Sequence, residues 1–141
     1  MAEMVMKHLV RAARKESEFF IDSAATDRDA LGCPVHRGTR DALARHGVPL
    51  VAHRARLATA DDYRNFDVIV CMDEENVRHL ARIVGADTER KVHKLLAFCG
   101  LSRDVADPWY TGDFEGTFAD VEAGCVSLLN ALLRADDGLE R

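Results

Sequence analysis

The tetrapeptide Asp107-Pro108-Trp109-Tyr110 places one carboxyl group directly before two aromatic rings. Proline drives the residue before it into extended backbone, which sets where the Asp107 carboxyl points. Two adjacent aromatics make an apolar wall suited to a flat ring. A carboxyl group beside such a wall can protonate a poor leaving group such as a phenolate. The same four residues also make an ordinary surface turn whose aromatics cover a sheet edge. By themselves they do not separate the two readings.

Other residues have chemistry available and a plainer alternative. Cys33 precedes Pro34, His36, Arg37 and Arg40, a basic setting that lowers a thiol pKa, yet it has no positioned base. Ser23 follows an apolar run, and His53 sits in the basic connection Val51-Ala52-His53-Arg54-Ala55-Arg56; each also reads as a packing or surface residue. Asp73, after the apolar run 68–72, resembles the phosphoacceptor of a receiver domain, with Asp27 and Asp29 as metal ligands. That reading needs a lysine at the end of a later strand, and Lys94 is expected inside its strand, so Asp73 is expected to cap a helix. Cys71, Cys99 and Cys125 fall on apolar faces and read as packing.

These residues must be positioned by an alternation of strands and helices. Residues 2–16 are expected to be helical, with Val5 and Leu9 on one face. A strand is expected over 19–25, a loop over 27–34, and a helix over 37–46 stopped by Gly47 and Pro49. A short helical turn near 59–64 precedes the strand 66–72, expected to be the most buried of all. Asp73 then caps a helix with Val77, Leu80, Ala81 and Val84 on its inner face. Residues 92–98 are expected as another strand, 101–116 as a polar loop, and 117–133 as a helix lined by Phe118, Val121, Cys125, Leu128, Leu129 and Leu132. Residues 135–141 are expected to fray. Strands separated by helices imply parallel βαβ crossovers, with active residues at the carboxyl ends of strands.

Composition excludes several classes of function. The 141 residues are 48% apolar and 30% charged, which suits one domain and not a disordered chain. The longest apolar runs hold five residues, against the roughly 20 a membrane span needs. Glu3, Lys7 and Arg11 interrupt any signal-peptide core. Nineteen basic against 24 acidic residues give a net charge of −5, with no basic stretch for nucleic acid. No two of the four cysteines form a C-x-x-C pair, and the six histidines show no H-x-x-x-H spacing. Free thiols, a cytoplasmic setting, and no metal or cofactor are the expectation.

Several segments together resemble the low-molecular-weight protein tyrosine phosphatase family, in family order. Met1-Ala2-Glu3 is similar to the residues following its phosphate loop. Ile21-Asp22-Ser23-Ala24-Ala25-Thr26 resembles its D-S-A-G-T strand end, and His53-Arg54-Ala55-Arg56 its H-R-A-R segment. Residues 66–73 resemble its F-D-x-I-x-x-M-D strand, and Asp107-Pro108-Trp109-Tyr110, with Gly112 and Phe118, its general-acid loop. The resemblance covers residues 1–134, which it makes one domain. It implies a three-layer α/β fold, a parallel sheet flanked by helices. It implies a phosphotyrosine protein or small aryl phosphate as substrate, hydrolysed through a cysteinyl-phosphate. Asp107 would be the acid and then the base, Trp109 and Tyr110 would flank the substrate ring, and Ser23 and His53 would brace the phosphate loop.

The family signature C-x5-R is not found within the 141 residues. Six positions after Cys33, Cys71, Cys99 and Cys125 stand Thr39, Val77, Val105 and Ala131. The expectation is a domain whose first central strand and phosphate loop are missing from this chain, because its start was placed too late. The chain alone is then expected to be inactive and poorly stable, or to self-associate through exposed sheet edges. The alternatives are a non-catalytic phospho-ligand binder and, on the same fold, an arsenate reductase.

Overall fold

The computed structural model describes residues 1–31, 34–52 and 55–139. Helix α1 (Ala2–Ala12) buries Met4, Val5, Met6 and Val10, and carries Glu3 in its first turn and Arg11 in its last, as the helix dipole favours. It ends earlier than the expected residue 16. Arg14 adopts φ 59° and donates its N–H to Arg11 O, and Lys15 N–H reaches back to Val10 O at 3.0 Å. This left-handed stop closes the helix without glycine.

The expected strand 19–25 is extended but forms almost no ladder. Among the described residues only Ala25 pairs, in a parallel bridge with Leu57, through Ala25 N–H to Arg56 O and Ala58 N–H to Ala25 O, both 2.8 Å. The strand alternation survives: Phe19, Ile21 and Ser23 are half-buried while Phe20, Asp22 and Ala24 are exposed. The pattern is that of a strand, and what it lacks is a second neighbour among the described residues.

Helix α2 (Arg37–Arg45) is capped by His36, whose Nδ1 accepts from Gly38 N–H at 2.9 Å, and buries Ala42 and Leu43. Gly47, at φ 68°, supplies the left-handed stop expected there. Helix α3 (Ala60–Asn65) starts with a reciprocal capping box between Thr59 and Asp62. Strand β1 (Ile69–Cys71), helix α4 (Glu74–Val84) and strand β2 (Val92–Lys94) form one parallel crossover, with Ile69 opposite Val92 and Cys71 opposite Lys94. Asp73 caps α4 through Asn76 N–H at 2.7 Å.

Both strands are shorter than expected. The 66–72 strand shrinks to three residues, of which only Cys71 is buried; Val68, Val70 and Met72 are half-buried against the core. A strand is covered on both faces only when the sheet around it is broad, and β1 has β2 as its sole ladder partner among the described residues. The expected strand 92–98 stops at Lys94, and Leu95–Cys99 coils into a 3-10 turn that buries Leu95 and Leu96. An unbroken apolar run fits either state, and packing against a helix decided it.

The loop expected over 101–116 contains a short helix, α5 (Pro108–Thr111), and the last helix, α6, spans Phe114–Leu139 rather than 117–133. Residues 135–139, expected to fray, are helical. Helix α6 packs against α1, α2 and the 95–99 turn, and α3 packs against α4, so helices flank the small parallel sheet. Phe118, Leu43, Leu95, Leu96, Val5, Val10, Val121 and Cys125 fill the centre.

Candidate active site

The acid-aromatic turn is built by helix-capping chemistry. Asp107 is the N-cap of α5, its Oδ1 accepting Trp109 N–H at 2.9 Å, and Pro108 takes the first helical position, where no N–H is needed. Gly112, at φ 71°, ends the helix after one turn. Trp109 and Tyr110 are 72% and 85% exposed, so they do not cover a sheet edge.

A histidine not singled out for its own chemistry in the sequence stands behind this wall. The His36 ring stacks on Phe114 at 4.9 Å and 17°, and meets Trp109 edge-on at 5.5 Å and 88°. A Cβ at Gly38 would come within 2.5 Å of the Phe114 ring, so the glycine lets this ring approach α2. In the sequence His36 stood out only as part of the basic run after Cys33, and nothing local marked it as an aromatic partner.

His36 also lines a cleft of about 330 Å³, together with Met1, Glu3, Ser23, Thr39 and Arg56, at the N-terminal end of α1. The Ser23 hydroxyl donates to Glu3 Oε1 at 2.5 Å, and Lys7 Nζ holds Glu3 Oε2 at 2.7 Å. Glu3 is buried, and this charged pairing offsets its desolvation. Arg56 reaches Asp22 at 3.0 Å and Asp62 at 2.9 Å, tying the 19–25 segment to α3. Burial alone would raise the Asp62 carboxyl, but the Arg56 guanidinium and the Thr59 backbone outweigh it and hold it below its ordinary value. A second cleft, of about 380 Å³, runs along α1 between Lys7, Arg11, Phe19 and Val51, and holds no predicted site residue.

The structure thus links the Asp107-Pro108-Trp109-Tyr110 turn to the Ser23 cleft through His36. His53 and Cys33 lie outside the described residues. Burial pushes the Cys71 thiol up to about 11 and the Cys125 thiol up to about 12, the opposite of an activated nucleophile. Lys94 ends its strand after all, but its ammonium is engaged by Asp104 at 2.8 Å and Glu74 at 3.2 Å. Among the described residues no cluster of three His, Cys, Asp or Glu is placed to hold a metal ion, which leaves the receiver reading without a site.

A parallel crossover flanked by helices, with a capped acid beside two exposed aromatics, defines an α/β protein. The model of the family described as low molecular weight phosphotyrosine protein phosphatase matches residues 1–137. The low molecular weight protein-tyrosine-phosphatase PtpA of Staphylococcus haemolyticus is 34% identical over 135 residues, covering 95% of this chain and 85% of that protein. The phosphatase YfkJ of Bacillus subtilis is 33% identical, over 94% of this chain and 86% of its own length. The crystal structure of YfkJ superposes with a TM-score of 0.89, over 95% of this chain and 86% of that one at 32% identity. A protein tyrosine phosphatase from Entamoeba histolytica, solved with Hepes in its active site, gives 0.86 at 25% identity, over 96% and 88% of the two chains. The chain belongs to the low molecular weight protein tyrosine phosphatase family.

Proposed function

We propose that this chain carries the acid and substrate-recognition half of a phosphotyrosine phosphatase site. The observation that supports it best is the Asp107 turn, which presents a carboxyl and two exposed aromatic rings on one capped helical turn. In the complete domain a cysteine thiolate attacks phosphorus, the P–O bond to the phenol breaks, and Asp107 gives its proton to the departing phenolate oxygen. Asp107, now a carboxylate, takes a proton from the water that attacks the cysteinyl-phosphate, releasing inorganic phosphate and the thiolate. Trp109 and Tyr110 flank the aromatic ring of a phosphotyrosine protein or small aryl phosphate. Ser23 and His53 brace the phosphate loop, and in this chain Ser23 is held by Glu3.

The domain we assign to residues 1–134, acting in the cytoplasm without metal or cofactor. No cysteine among the 141 residues is followed six positions on by arginine, so the chain alone is expected to lack turnover. The edge of β1 away from β2, which carries no strand among the described residues, is the surface for self-association.

The test starts with the intact mass of the protein from its own source, then assays p-nitrophenyl phosphate. Residues before Met1 that include Cys-x5-Arg should confer vanadate-sensitive hydrolysis, lowered about 10²- to 10⁴-fold by Asp107→Asn. A natural protein of 15.7 kDa that binds vanadate without turnover is instead a phospho-ligand binder. Vanadate-sensitive turnover by the 141-residue chain, lost on Asp107→Asn, overturns the expectation that it is inactive alone.

A further inference from the structure

The four residues before Asp107 are each fastened to another element. Arg103 makes a paired contact with Asp120 on α6, at 2.8 and 2.9 Å. Asp104 accepts from Lys94 at the end of β2, at 2.8 Å. Val105 donates its N–H to Met72 O, just past β1, at 2.9 Å. Ala106 O accepts from the Thr117 hydroxyl on α6, at 3.0 Å. One turn of helix cannot hold its own orientation, because a nucleus this short is unstable alone. The direction of the Asp107 carboxyl is therefore inherited from these anchors.

Lys94 is the anchor with the most reach. Its Nζ also donates to Ser102 O at 2.9 Å and pairs with Glu74 at 3.2 Å, and its side chain is only 15% exposed. One ammonium thus holds the loop backbone, the loop side chain and the head of α4 at the carboxyl end of the sheet. Charge-assisted hydrogen bonds are stronger than neutral ones, and each of Lys94's three donors has a partner.

We infer that Lys94 is a positioning residue for the Asp107 acid, acting through Asp104 and Ser102 to set the height of the loop over the sheet. This rests on the phosphatase reading for its purpose but not for its test. The 141-residue chain suffices, because the readouts are native-state hydrogen exchange at the Val105 amide and the anisotropy of Trp109, the only tryptophan. Lys94→Met is expected to speed Val105 exchange about tenfold relative to the Leu129 amide in α6, and to lower Trp109 anisotropy. Lys94→Arg should restore both. Lys91→Met is the matched control, from the residue just before β2 and 16% exposed, but paired with Glu89 and the Tyr63 carbonyl at the opposite end of the strand from Lys94. It should leave Val105 and Trp109 unchanged.

If Lys94→Met folds poorly, Asp104→Asn removes the loop end of the pair at a 44%-exposed position and should reproduce the effect. Equal acceleration at Val105 and Leu129 would make Lys94 a general stability residue and overturn the inference. So would an unchanged loop in both variants, an outcome that leaves the phosphatase reading standing. Loop loosening in the 141-residue chain, together with no aryl-phosphate hydrolysis by a natural protein that carries Cys-x5-Arg, would instead count against that reading and leave the anchor in place.

Discussion

Gly124→Ala sets two local rules against each other. Gly124 lies inside α6, where exchanging glycine for alanine ordinarily stabilises a helix by about 1 kcal/mol. A Cβ at this position would stand 2.4 Å from Leu95 Cγ and 2.9 Å from both of its methyl carbons. Carbon atoms prefer about 3.5–4.0 Å, so Leu95 or the helix must yield by about 1 Å. Leu95 is 1% exposed, and the obstructing atom is its branch point rather than a mobile end. Overpacking of this kind costs about 1–3 kcal/mol, and the upper end applies where nothing can swing away. The contact outweighs the propensity, for a net loss of about 2 kcal/mol and a Tm lower by about 6–8 °C at this chain length.

The double mutant supplies the sign. Leu95→Ala alone leaves a cavity and costs about 2–5 kcal/mol. In its background the added methyl meets no branch point and recovers the propensity gain, so the two substitutions should couple favourably by about 2–3 kcal/mol. Urea melts followed by circular dichroism at 222 nm measure all four corners of the cycle; Trp109 is too exposed to serve as the probe. A single mutant that melts above the parent, or costs that simply add, would refute the argument that Leu95 seats directly on the Gly124 backbone.

The remaining expectations are simpler. A Cys71 thiol at about 11 holds about one hundredth of the thiolate of an ordinary cysteine at neutral pH, and Cys125 less still. Iodoacetamide should therefore label both at least about 100-fold more slowly in the folded chain than in urea, read by peptide mass spectrometry; equal rates would contradict their burial. The Arg103 hydrogen bond lowers the Asp120 carboxyl, His46 and then Arg45 lower Glu115, and Lys94 lowers Asp104. Carboxyls lowered on folding add stability above their unfolded value of about 4 and lose it as pH falls through the lower folded value. Tm should therefore hold from pH 8 to about 5 and drop below about 4, less steeply in Arg103→Met. A Tm that rises on acidification would reverse the sign.

Much of this protein is readable from short stretches of sequence, because helix capping and glycine stops act within a few residues. Asp73 before α4, Gly47 after α2 and the Asp107-Pro108 entry to α5 each dictate their own local geometry. The order of the motifs, from Ile21-Asp22-Ser23 to Asp107-Pro108-Trp109-Tyr110, was enough to point to the family. Tertiary structure decided where the apolar runs stop being strands, since 68–72 and 92–98 fit a ladder or a turn equally well until packing is known. It also decided the partners of the site residues. Glu3 meets Ser23 twenty positions away, His36 meets Trp109 and Phe114 across more than seventy, and Thr117 on α6 closes on Ala106 in the loop before α5. A polar or aromatic side chain carries no local mark of such a partner. The pairing is set by which elements the shared core brings together, and that is a property of the whole chain.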